Sequence, residues 1–180
     1  MRMRIVAGEL GGRFFESPDS QTTHPMSERM RGALFNILGD LRGKTVLDPF
    51  AGSGALSFES VSRGAASAVL LDNDKRAQRI IEGNIKSLGL EQKARLVKAN
   101  SRMWSERNND QFDLLLIDPP YHDMQLSTVS MLVKHLKPNG LMVLSYPGKG
   151  DEPTVNGVVV VDTRLYGDAA LAFYRKRASD

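Results

Sequence analysis

Short apolar runs alternate with stretches of helical spacing along most of this chain. Strand-like runs fall at residues 45–47, 68–71, 94–97, 113–117 and 141–145, and two more near 158–161 and 170–174 complete a set of seven. From Ser27 to Leu38 the apolar positions Met30, Ala33, Leu34, Ile37 and Leu38 share one helical face, and Gly39 marks the end. A second such face, Ala77, Ile81, Ile85 and Leu88, follows Asp74, which is placed to cap it. Residues 4–7 and 12–15 flank Gly8-Glu9-Leu10-Gly11 in the pattern of a small hairpin, and the polar residues 17–23 read as loop. Strands separated by helices pair mainly in parallel. The pattern therefore predicts an α/β fold with a mainly parallel seven-stranded sheet behind an N-terminal hairpin and helix appendage. Neither a repeat nor a linker interrupts it. The chain reads as a single domain, with residues 1–44 as the appendage and 45–180 as the core, inside the usual range of about 50–250 residues.

Polar residues gather where the predicted strands end. Asp118-Pro119-Pro120-Tyr121 follows the run Leu114-Leu115-Leu116-Ile117. The prolines fix their own φ and bias the residue before each towards extended geometry, so this loop is stiff. A carboxylate, a fixed main-chain carbonyl and an aromatic face suit a planar amino-bearing group such as a nucleobase. The same four residues also read as a strand end with an ordinary Asp-Pro turn. Upstream, Val46-Leu47-Asp48-Pro49-Phe50-Ala51-Gly52-Ser53-Gly54-Ala55-Leu56 has the form of buried strand, glycine turn and helix start, the place where open α/β sheets bind nucleotides. Gly52 and Gly54 would admit a ligand close to the backbone. The dinucleotide fingerprint fits poorly, since Ser57 or Phe58 stands at its third glycine, and no Gly-Lys-Ser/Thr follows. Asp72 closes the run Ala68-Val69-Leu70-Leu71 about twenty residues beyond the turn, where a carboxylate takes both ribose hydroxyls.

Composition narrows the setting. The chain has 180 residues, 24 Lys and Arg against 21 Asp and Glu, and no cysteine, which removes disulfides and thiolate metal sites and fits a reducing, cytoplasmic compartment. His24, His122 and His135 lack ligand spacing, so no metal is expected. No apolar run approaches the roughly 20 residues of a membrane helix, and nothing resembles a signal peptide. The slight positive balance permits nucleic acid as partner. Trp104 and the methionines read as packing or surface.

In order and spacing these motifs resemble the class I S-adenosylmethionine-dependent methyltransferases, with a Rossmann-like fold. Further segments narrow the likeness. Arg4-Ile5-Val6-Ala7-Gly8, Gly11-Gly12-Arg13, Pro25-Met26-Ser27-Glu28-Arg29-Met30-Arg31, Ala33-Leu34-Phe35-Asn36, the glycine segment and Tyr166-Gly167-Asp168 resemble the bacterial RsmD-type ribosomal RNA methyltransferases over residues 4 to about 176. That resemblance implies S-adenosylmethionine as cofactor and methylation of the exocyclic 2-amino group of a guanine in small-subunit (16S) ribosomal RNA, naked or in the assembling subunit, by a monomer. It implies Asp48, Phe50, Gly52 and Gly54 in the cofactor loop, Asp72 on the ribose, Asn100 and Ser101 beside the adenine, and Asp118, Pro119, Pro120 and Tyr121 at the target amine, with Asp118 also bordering the cofactor. Arg4, Arg13, Arg29 and Arg31 would meet RNA phosphates. His24 stands where relatives usually carry Arg, and Asn100 where the superfamily is often acidic. The competing readings are a DNA adenine or cytosine amino-methyltransferase, for which the chain has little length to spare, a glutamine methyltransferase, which would carry Asn at Asp118, and a non-catalytic RNA-binding module, which would not require Asp118.

Overall fold

The computed structural model describes residues 1–19 and 25–177, so His24 and the 20–23 part of the expected loop lie outside the described residues. Strands β1 (Arg2–Arg4) and β2 (Phe14–Glu16) pair antiparallel, with Arg2 opposite Glu16 and Arg4 opposite Phe14. After them come α1 (Glu28–Leu38), β3 (Thr45–Asp48), α2 (Ala55–Ser62), β4 (Ser67–Asp72), α3 (Lys75–Ser87), β5 (Ala94–Lys98), α4 (Ser101–Arg107), β6 (Phe112–Ile117), α5 (Leu126–Leu132), β7 (Leu136–Pro147), β8 (Val158–Tyr166) and β9 (Ala169–Lys176). Seven strands form one sheet in the order β5-β4-β3-β6-β7-β9-β8. The first five are parallel, and β9 runs against both of its neighbours. The chain builds outward from β3 on one side and then returns to place β6 and β7 on the other. Where the strand order reverses, the carboxyl ends of β3, β4 and β6 part and leave a crevice.

Side chains alternate between the two faces of a strand. Val46, Leu70, Leu114, Leu116 and Val143 enter the apolar core beneath α1, α2 and α3, while Leu47, Leu71, Leu115, Ile117 and Leu144 enter the core beneath α4 and α5. The same phase carries Asp48, Asp72, Asp118 and Ser145 to the first face at the carboxyl edge of the sheet.

Helix α2 is buried at every residue, because the sheet lies on one side and the appendage on the other. The fully buried carboxylate of Glu59 accepts the amide N–H groups of Val6 (2.9 Å) and Ala7 (3.1 Å) and pairs with Arg31 (3.3 Å) and Arg63 (2.9 Å). Ser62 adds a bond from its hydroxyl to the Ala7 carbonyl (2.6 Å) and accepts the Leu10 amide (2.8 Å). Phe15 meets Phe58 edge-on with centroids 5.4 Å apart. At Gly8 a Cβ would lie 2.1 Å from the Ser62 carbonyl oxygen, so the close approach of hairpin to helix requires glycine there.

Several elements differ from the sequence pattern. The hairpin has the expected pairing, but its strands lie about two residues farther from the turn. In α1 the buried face is Met30, Arg31, Leu34 and Phe35, whereas Ile37 is exposed; the Arg31–Glu59 pair turns the helix towards α2 and away from the face its apolar residues describe. Strand β7 begins at Leu136, ahead of the expected 141, across a bulge in which Phe112 faces Leu136 and Leu114 faces Leu141. Asp74 caps α3 as expected, accepting the Ala77 amide at 2.8 Å, and Ala77, Ile81, Ile85 and Leu88 are all buried. No helix among the described residues is long and apolar enough to cross a membrane.

Candidate active site

A cleft of about 1090 Å³ opens at the strand-order reversal. Phe50, Gly52, Asp72, Asn100 and Ser101 line it together with Asp118, Pro119, Pro120 and Tyr121. Residues from two separate sequence motifs, some seventy positions apart, thus share one space.

The glycine turn is held from two sides. Asp72 accepts the Gly52 amide on one carboxylate oxygen (2.8 Å) and the Asp74 amide on the other (2.9 Å), while the Ala51 amide bonds the Leu71 carbonyl (3.1 Å). From below, Asn84 donates to the Ser53 carbonyl (3.1 Å) and also exchanges two bonds with Glu16 of β2 (2.8 and 2.9 Å). Gly52 has a φ of 60°, and a Cβ there would meet no protein atom within 4 Å. The space beyond its backbone is open to a ligand. Gly54 differs from the expectation: it is buried, and a Cβ would strike the Phe58 ring at 2.5 Å, so packing rather than ligand approach requires glycine.

Asp48 lies wholly buried behind the turn. Its Oδ2 accepts from the Ser57 hydroxyl at 2.7 Å, and its Oδ1 has no partner among the described residues. Burial first, then the charges of Asp118 and Asp72, push its carboxyl up to about 7. Burial likewise raises Asp72, against the hydrogen bonds it accepts, and pushes Asp118 up to about 6, a rise that the Ser145 hydroxyl opposes. Asp72 and Asp118 face the cleft and Asp48 lies behind the turn, which makes the cleft receptive to a cation. Asn100 caps α4, its Oδ1 accepting the Arg102 (3.0 Å) and Met103 (3.2 Å) amides, which leaves its amide donors for a ligand. Ser101 is at the cleft wall, but its hydroxyl donates to the Pro49 carbonyl and is thereby committed to the protein.

Ser145, which the motifs did not single out, is buried at 1% exposure behind the loop, with its Oγ 2.5 Å from the Tyr121 hydroxyl. Its phase on β7, two residues after the buried Val143, was the available signal. Among the arginines, Arg31 is a correction: it is 0% exposed, paired with Glu59 and bonded to the Arg4 carbonyl, so it cannot meet a phosphate. Arg29 is exposed. Arg4 and Arg13 are exposed as well, the first paired with Glu28 at 3.0 Å and the second donating to the Ser87 carbonyl at 2.8 Å.

Comparison with known proteins agrees with this geometry. The family described as "Conserved hypothetical protein 95" matches residues 3–175. A candidate rRNA methyltransferase of Bacillus subtilis is 28% identical over 97% of this chain and 100% of its own length. The ribosomal RNA small subunit methyltransferase D of Haemophilus influenzae is 31% identical over 78% of this chain and 76% of its own. A solved Escherichia coli protein, named as a candidate methyltransferase, superposes with a TM-score of 0.89 at 28% identity, covering 99% of this chain and 100% of the other. With the cleft, the Asp-Pro-Pro-Tyr loop and the full-length match in agreement, the chain belongs to the RsmD-type methyltransferases.

Proposed function

We propose that this protein transfers a methyl group from S-adenosylmethionine to the exocyclic 2-amino group of a guanine in small-subunit ribosomal RNA. The observation that carries the proposal is the opening of the Asp118-Pro119-Pro120-Tyr121 loop into the same cleft as Gly52 and Asp72. The open backbone side of Gly52, the Asp72 and Asp118 carboxyls on the cleft wall and the orphaned Asp48 Oδ1 behind the turn all suit a cationic nucleoside. Asp72 would hold the ribose hydroxyls, Asn100 would donate to the adenine, and the Phe50 side chain and Gly52 backbone would border the rest. S-adenosylmethionine, when bound, supplies a methyl on a sulfonium that is already activated.

The work left to the protein is positioning and electrostatics. An aromatic amine attacks poorly because its lone pair is delocalised into the ring. Asp118 and the Pro119 carbonyl, accepting its two N–H bonds, would localise that pair and stabilise the positive charge growing on nitrogen. Tyr121, 40% exposed at the cleft, would stack on the base. The proton lost after transfer can leave to Asp118 or water. A guanine in paired or stacked RNA must first be extruded. Of the arginines that the resemblance implies, Arg29 is exposed and has no local partner among the described residues, and it supports a phosphate contact best; Arg4 and Arg13 would have to exchange partners.

Incubation with radiolabelled cofactor and either naked small-subunit RNA or partly assembled particles tests the proposal. Digestion should yield guanosine methylated on its exocyclic amine. Label confined to DNA adenine or cytosine would transfer the chemistry to another substrate and reject the RNA assignment. On the cofactor side, Asp72→Ala should weaken S-adenosylmethionine binding by about 1.5–3 kcal/mol per lost charge-assisted bond, less where water substitutes. Its bond to the Gly52 amide goes too, so the turn loosens. Calorimetry on the folded variant measures this, and unchanged affinity would remove Asp72 from the site.

A further inference from the structure

Ser145 has no part in the chemistry just described, yet it lies where the two target-binding groups meet. Its strand pairs with β6 so that Leu144 faces Ile117, which sets Ser145 beside Asp118 at the next step. Its Oγ is 2.5 Å from the Tyr121 hydroxyl, and that register sets its hydroxyl next to the Asp118 carboxyl, whose burial-raised pKa it opposes. A serine hydroxyl has a single proton to donate. An ionised Asp118 can only accept, so a serine proton turned to it leaves the tyrosine to donate to the serine oxygen. The Tyr121 phenol is suited to that role. Burial first, with the Asp118 charge adding, raises its pKa against the serine bond and keeps it protonated.

We propose that Ser145 is a positioning residue that joins Tyr121 and Asp118 in one directed chain, Tyr121 to Ser145 to Asp118, so that the stacking ring and the amine-binding carboxylate are set together. The inference rests on the target-site reading above and adds to it a residue outside the Asp-Pro-Pro-Tyr loop. Hydrogen bonds in such a chain strengthen one another, and its serine end is sealed from water. A serine that only filled space would leave the titration of Asp118 where it is.

The test compares Ser145→Ala, Tyr121→Phe and the double variant with the wild type. In the protein alone, the Asp118 side-chain carboxyl is followed by NMR against pH. It should titrate at higher pH in Ser145→Ala, and shift the same way by less in Tyr121→Phe, an exposed position where folding is not at risk. Turnover on RNA should fall about tenfold or more in Ser145→Ala. In the alanine background Tyr121→Phe should then add little, since the chain is already cut. Unmoved Asp118 titration in both single variants, or losses that multiply in full, would overturn the proposal. The NMR readout needs no RNA, so absence of methyl transfer by the wild type would reject the substrate reading while leaving the hydrogen-bonded chain independently measured.

Discussion

Asp118→Ala should cut turnover by about a hundredfold or more while S-adenosylmethionine affinity stays close to wild type. The carboxylate ends β6 at the cleft, on the face shared with Asp48 and Asp72, and it is the only charged acceptor in the loop that would hold the target amine. Removing it withdraws a contact that strengthens as positive charge grows on nitrogen, which is why the loss falls on kcat and not on cofactor binding. The wild-type pH profile carries the same signature. Because burial pushes the carboxyl up to about 6, Asp118 takes up a proton as pH falls through that value and loses the negative charge that would stabilise the growing positive charge on nitrogen. Turnover should therefore fall on the acid side of about pH 6, and a cation bound in the cleft should move the limb lower. Single-turnover rates with calorimetric cofactor binding decide it, and an alanine variant with wild-type turnover would end the amine-activating role.

Glu59→Gln should destabilise the protein by about 3–5 kcal/mol, the cost of leaving a buried partner charge uncompensated. Arg31 and Glu59 are both fully buried, and burial lowers the arginine pKa against the stabilising pull of Glu59. The carboxylate also accepts the Val6 and Ala7 amides, which one amide oxygen cannot serve together with the guanidinium groups. Adding Arg31→Met should recover part of the loss, because the unpaired charge leaves with its partner. Urea unfolding measures both. A loss under about 1 kcal/mol, the range of exposed pairs, would mean that water reaches the cluster.

These two residues also mark the limit of what the sequence made legible. The place of Asp118 at a strand end on the cleft is legible because its signal is local: an apolar run, a carboxylate and two prolines in succession. The Asp74 cap and the buried face of α3 were readable for the same reason. Glu59 and Arg31 look like solvated charges in the sequence, since their pairing spans 28 positions and depends on α1 packing over α2. That pairing also accounts for the rotated face of α1. Strand β7 was legible only from its regular ladder onward, because Lys137-Pro138-Asn139-Gly140 has turn composition and Asn139 takes a φ of 64° in the bulge. Strand β8 extends past the expected 161 into Asp162, Thr163 and Arg164, polar residues that an edge strand can present to solvent.

The two prolines after Asp118 have an effect beyond stiffness. Neither has an amide N–H, so along that stretch the main chain presents carbonyl oxygens and nothing that donates. With an ionised Asp118 beside them, the loop offers lone pairs alone. An amino edge of a base finds partners there, whereas a keto edge turned to the same spot would set oxygen against oxygen and leave buried acceptors unsatisfied, at about 1–3 kcal/mol for each group. Under the proposed function the loop would sort incoming bases by the polarity of their hydrogen bonding before any methyl moves, turning away the 6-oxygen of the same guanine whose 2-amino group it would accept.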